Sequence, residues 1–266
     1  MRIFIATLTL LFSVTLFSCS KKDDSHELVP QSTNGYTVIS VTNGGSIKGI
    51  VISSQPLSPS AEIETQKDQD VCGVSHKNPA APSAGTGLNG CIVYLERVTQ
   101  GKAFATVKPE LDQHGCEFKP HLQIVPVGSA LTVTNSDAIV HNYHLTKDGA
   151  TILNEAQPEG APPHEVKLDA KGLINIGCDV HPWMRGFLFM AENPYATITD
   201  TTGAFTLSDI PPGDYTLVVW RDNWNLTQQK DAAGRITGYQ WAPDLVKKQQ
   251  VKVEASKEIN LNVSLP

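Results

Sequence analysis

Apolar residues in this chain recur at every second position over short runs, and that period constrains its fold more than any other feature. In IVHNYHL an extended backbone puts Ile139, His141, Tyr143 and Leu145 on one face and Val140, Asn142 and His144 on the other. In GLINIGC the same alternation puts Ile174, Ile176 and Cys178 on one face. No long amphipathic helix competes with these runs, and 20 Gly and 17 Pro punctuate them with turns, so the chain reads as all-β. LQIVPV and ALTVTN, joined through Gly128 and Ser129, read as a hairpin.

The chemistry concentrates after GLINIG, where Cys178, His181 and Met184 follow one another as C-x-x-H-x-x-M in GCDVHPWMRG. Each side chain has a lone pair to give, and a mixture of soft sulfur and borderline nitrogen suits copper better than calcium or magnesium. His141, on the inward face of a distant strand, can join them at one end of a sandwich. Zinc is the nearest competitor, but Met is a poor zinc ligand and a paired C-x-x-C is missing. A binuclear copper centre would want a second Cys in the loop, and haem attachment would want C-x-x-C-H; neither is present. No acid–base pair or activated nucleophile stands out, which argues against an enzyme.

VPVGSALTVTNSDAIVHNYHL followed by CDVHPWMRG resembles the cupredoxin family, and the loop together with HN-x-H is most similar to that of the amicyanins. The resemblance spans roughly residues 103–192 and implies a Greek-key copper sandwich at 99–193. By position it implies one copper ion held by His141, Cys178, His181 and the weak axial Met184. It also implies that Asn142 ties the two ligand loops together and that His181 is the more exposed ligand, near an electron-exit edge. Such a His2Cys set with a distant Met is associated with single-electron transfer to a redox partner protein. Trp183 reads as either an exposed partner contact or ordinary packing, and His144 as a surface imidazole. QHGCEFKPH adds Cys116 and His121, for which the resemblance offers no place; His121 is a candidate for a secondary metal site.

The flanks carry a second pattern. GGSIKGIVISS and GLNGCIVYLERV precede the copper segment, and TDTTGAFTLSDIPPGDYTLVVW, which resembles the carboxypeptidase regulatory-like domain, follows it. The resemblance implies a prealbumin-like β-sandwich built from 36–98 and 194–266, with the copper domain inserted; the alternative is three serial pieces. Neither flank alone has enough strands to close a sandwich. RDNWNLTQQKDAAGRITGYQW, bracketed by Trp220 and Trp241, reads as a long polar loop, either a partner site or a cover for a sandwich end.

Residues 1–18 are an export leader with Arg2, an apolar run and small residues before Cys19. LFSC at 16–19 resembles the lipobox of bacterial lipoproteins, which implies lipidation at Cys19, and 19–35 then reads as a flexible tether. The expected location is the periplasm or cell surface, bound to a membrane through the N-terminal lipid. Removal of the leader takes one Arg and no acid, leaving 20 basic and 27 acidic residues and a formal charge of −7, which argues against a nucleic-acid partner. Of Cys72, Cys91 and Cys116 one must stay free. Cys91 opens the strand-like CIVYLE, while Cys72 and Cys116 lie in turn-rich surroundings and are the candidate disulfide, which spacing alone does not establish. The sequence thus predicts a lipid-anchored mononuclear blue copper electron carrier; a copper storage or delivery lipoprotein, or an adhesion module with structural copper, are the alternatives.

Overall fold

The computed structural model describes residues 35–55, 57, 62–83 and 85–266. The expected leader, Cys19 and the expected tether up to residue 34 lie outside the described residues. The fold is all-β, and the only helix among the described residues is the single turn Gln69–Cys72.

Most of the strands form two sandwiches. In the first, a five-stranded sheet runs Ala150–Gln157, His141–Lys147, Gly172–Gly177, Arg185–Ala191, Leu122–Pro126. It faces a four-stranded sheet ordered His164–Lys167, Ala130–Asn135, Glu110–Gln113, Phe118–Lys119. The alternation sets which residues fill the space between them: Leu131 and Val133, Tyr143 and Leu145, and Ile174 and Ile176 are buried and pack in one cluster with Cys178 and Met184. The expected hairpin from Leu122 to Asn135 does not form. Leu122–Pro126 pairs in parallel with Arg185–Ala191, whereas Ala130–Asn135 lies in the other sheet beside Glu110–Gln113 and His164–Lys167. The turn at Gly128, whose φ is 83° and whose amide bonds to the Leu168 carbonyl, carries the chain across the sandwich. Each strand then turns its own apolar face inward, and an alternating pattern on both sides of a short turn cannot tell the two arrangements apart.

In the second sandwich, Gly45–Ser53 lies between Ala204–Ile210 and the pair Glu258–Asn260 and Val263–Leu265. Facing it, Ile92–Glu96 lies between Ala196–Ile198 and Gly213–Arg221, which pairs onward with Leu245–Val253. Both sheets therefore combine strands that precede the first sandwich with strands that follow it. Gly49 is needed where they meet, because a Cβ there would sit 1.7 Å from the Leu261 carbonyl oxygen. The two sandwiches touch through Phe187 against Trp220 (ring centroids 5.0 Å apart) and Tyr94 against Phe189 (4.5 Å). A pair between the partly buried His121 and the buried Asp222, Nε2 to Oδ2 at 2.8 Å, crosses the same boundary.

Between Ser53 and Ile92 the chain makes an excursion onto the first sandwich. Ile63–Glu64 pairs with Ser75–His76, the helical turn Gln69–Cys72 lies between them, and the buried Ile63 and Cys72 join the apolar cluster of the first sandwich. The polar stretch after Trp224, expected to be a loop, is instead the hairpin Leu226–Lys230 with Ile236–Trp241. Asp231 closes its turn by accepting from the amides of Ala233 and Arg235 at 2.9 and 3.0 Å. Its strands are legible only weakly in sequence because polar Thr and Gln occupy both faces. The hairpin backs the excursion: the Tyr239 hydroxyl donates to the Glu64 carbonyl, and Gln66 Nε2 donates to Tyr239 at 2.9 Å.

Candidate metal centre

His141 opens the strand His141–Lys147, Cys178 follows Gly172–Gly177, and His181 and Met184 lie in the turn before Arg185–Ala191. The turn is tight, since the Met184 amide donates to the His181 carbonyl at 2.9 Å. Together they form a small group at one end of the first sandwich. The two Nδ1 atoms of His141 and His181 lie 2.9 Å apart, and Cys178 Sγ lies 3.7 Å from His181 Nδ1. One donor atom from each of the three residues falls within 4.8 Å of the other two. All three are buried, as is Met184 beside them in the apolar cluster.

What the other ring nitrogens do decides what Nδ1 can offer. His141 Nε2 lies 2.9 Å from Asp137 Oδ2, and His181 Nε2 lies 3.0 Å from Asp68 Oδ2. A carboxylate only accepts, so each Nε2 carries the hydrogen and each Nδ1 presents a lone pair. Burial holds both imidazoles below their ordinary pKa, which keeps them neutral. Burial pushes the Asp137 carboxyl up, but the amides of Cys116 and Gly115, each at 2.7 Å, and the His141 ring outweigh it and hold it below the usual range. Two lone pairs facing each other at 2.9 Å repel unless a cation stands between or beside them. The donor set therefore fits a metal ion. Burial also raises the Cys178 thiol, and a bound cation would displace its proton.

Asn142 links the two ligand-bearing segments. Its Oδ1 accepts from the Asp179 amide at 2.7 Å and lies 3.2 Å from Cys178 Sγ, while its Nδ2 donates to Asn154 Oδ1 at 2.7 Å. Cys116, Asp137 and His141 also bring donor atoms close together, but Cys116 is not a free ligand because its sulfur is bonded to that of Cys72.

No family model matches the chain. Over 95 residues, 35% of its length, it is 30% identical to amicyanin-alpha of Methylorubrum extorquens and covers 76% of that protein. The chain belongs to the amicyanin family. Among solved structures, its amicyanin-like part is similar to amicyanin from Paracoccus versutus (14% identity, 33% of this chain and 84% of that one, TM-score 0.29). It is also similar to a purple cupredoxin from Nitrosopumilus maritimus (21% identity, 32% and 100%, TM-score 0.28). It spans 24% of a copper-containing nitrite reductase from Thermus scotoductus SA-01 (19% identity, 35% of this chain, TM-score 0.29). The family assignment rests on the sequence relationship.

In the amicyanin-like sandwich, the structure brings together His141, Cys178 and His181 and buries Met184 next to them. It does not leave His181 as an exposed ligand: that ring is 0% exposed, because the excursion from the second sandwich lies over it. Trp183 is also buried, with Nε1 donating to the Cys116 carbonyl at 3.2 Å, so it is packing rather than an exposed partner contact. His144 is occupied by Asp179 and Thr151, at 2.9 and 2.7 Å. His121 bonds to Asp222 and the Arg185 carbonyl, and among the described residues it joins no group of donors that could hold a metal. Asp137 and Asp68 were not foreseen. Asp137 had a signal in NSD, four residues before His141, where Asn135 Oδ1 accepts from the Asp137 amide; Asp68 had none.

Proposed function

We propose that the protein is a lipid-anchored, mononuclear blue copper carrier that passes single electrons at the cell envelope. Copper, when bound, supplies the change between Cu(I) and Cu(II). His141, His181 and Cys178 would hold it, with Met184 as the weak axial donor. Supporting the reading are the two convergent Nδ1 lone pairs beside Cys178 Sγ and the kinship to amicyanin-alpha. The frame contributes rigidity: Asn142 couples the Cys178 loop to the His141 strand, and Asp137 fixes the His141 ring, so the donors move little between redox states. Burial of the donors excludes water from the site.

In this reading the copper domain, 99–193, is an insertion in a prealbumin-like sandwich formed by 36–98 and 194–266. The leader at 1–18 exports the chain and Cys19 takes the lipid. A bonded Cys72 and Cys116 accord with an oxidising compartment. The protein acts as a carrier and not as an enzyme, its partner being another redox protein.

One observation favours copper storage or delivery instead. The covered His181 closes the edge at which a carrier would meet its partner. Voltammetry of the copper-loaded protein separates the two: rapid reversible exchange supports the carrier, whereas absent exchange together with copper transfer to an acceptor supports delivery.

A further inference from the structure

The two carboxylates that orient the ligand histidines come from different parts of the chain, and a disulfide joins them. Asp137 grips the amides of Gly115 and Cys116. Cys116 is bonded to Cys72, the last residue of the helical turn whose amide bonds back to the Asp68 carbonyl at 2.8 Å. Asp68 holds a left-handed φ of 52°, uncommon for a residue with a side chain, and its carboxylate meets His181. The path His141, Asp137, Cys116, Cys72, Asp68, His181 is therefore a closed ring of contacts around the donor group.

We propose that residues 62–83 form a cap over the metal centre, that Asp68 is a positioning residue for His181, and that the Cys72–Cys116 bond is the clasp holding the cap closed. The inference rests on the metal reading above and adds the device that shields it. Three further contacts seat the cap. Ile63 and Cys72 are buried in the first sandwich's core. His76 stacks on Trp183 at 6.2 Å, and Trp183 packs 5.0 Å from His181. The hairpin 226–241 holds the outer side through Tyr239. A cap anchored at both ends and in the middle has little freedom to swing away while the disulfide is intact. By fixing the Nε2–H of His181 against a carboxylate it raises the basicity of Nδ1 and sets the ring plane, as outer partners of ligand histidines do. By covering the ring it slows escape of the metal.

The test compares wild type with Asp68→Ala, Asp68→Asn and a Cys72→Ser/Cys116→Ser pair, with circular dichroism as the check on folding. Cu(II) affinity and release are followed by competition with a chelator. Asp68→Ala is expected to weaken Cu(II) binding about 10- to 100-fold. Asp68→Asn, whose amide oxygen still accepts from Nε2–H, should recover part of that loss. The serine pair replaces no ligand, yet it should speed release at least about tenfold. Nitrogen-15 NMR of the metal-free and Cu(I)-loaded protein supplies a readout that general stability would not move. There the His181 Nε2–H should exchange slowly in wild type and at least about tenfold faster in Asp68→Ala. A folded Asp68→Ala protein with unchanged affinity and slow exchange overturns the proposal, and so does fast exchange in wild type, which needs no variant. A wild type that shows slow exchange but takes up no copper through a thiolate would sink the metal reading while leaving Asp68 as the partner of His181.

Discussion

His181 and Asp68 stand 113 positions apart in the chain, yet the ring Nε2 of one lies 3.0 Å from a carboxylate oxygen of the other. The contact makes the candidate metal centre a joint product of the amicyanin-like sandwich and the segment that leaves its neighbour. It also explains why the ligand expected at an exposed edge is buried.

Asn142→Ala should loosen the link between the ligand loops. The Asp179 amide loses its acceptor, at a cost of about 1 kcal/mol in a urea melt of the metal-free protein. The larger effect should be spectroscopic: the thiolate-to-Cu(II) band should shift or broaden, because the Asn142 side chain then no longer fixes the Asp179 amide and the Cys178 sulfur. An unaltered spectrum would show that the loop holds itself.

The boundary between the sandwiches should be acid-sensitive through Asp222. Burial pushes this carboxyl up, but the hydrogen bond with His121 and the charges of Arg221 and Arg185 hold it below the usual range. A depressed folded value means its stabilising contribution is complete above the unfolded value of about 3.9 and is lost as pH falls through the lower folded one. Urea midpoints of wild type should therefore drop more steeply below about pH 4 than those of Asp222→Asn. At neutral pH the variant should be less stable by about 2 kcal/mol. Parallel pH curves for the two proteins would show that Asp222 does not carry the acid response.

Gly49→Ala tests whether strands from both sides of the copper domain share a sheet. Its Cβ would collide with the Leu261 carbonyl, whose residue donates its amide to Lys48 at 2.8 Å. Destabilisation of about 3 kcal/mol is expected, with the Cu(II) spectrum of the remaining folded protein preserved. A neutral substitution would mean that the C-terminal strand does not close against 45–53.

Much of the donor group was legible in the sequence, and the reason is local. Cys178, His181 and Met184 lie within one turn, and strand alternation alone sends His141 and Cys178 inward. Asn142 was reachable through the family pattern. What could not be read was whatever depends on two distant segments meeting. Asp68 lies in a polar stretch, KDQDV, with no period and no motif, and only the folded excursion brings it to His181. The same limit explains the misread hairpin at 122–135: alternation fixes which face of each strand is buried but not which neighbour it pairs with. The hairpin at 226–241 was missed for the opposite reason, since its polar strands bury little and leave no alternation to see.

Whether His141, His181 and Cys178 bind a single copper ion through a thiolate is decided by combined visible and electron paramagnetic resonance spectroscopy of the Cu(II)-loaded protein. Expected are an intense visible thiolate-to-copper band, a mononuclear signal with narrow copper hyperfine splitting, and loss of that band in Cys178→Ser. A colourless Cu(II) complex, or a band that survives Cys178→Ser, would contradict it.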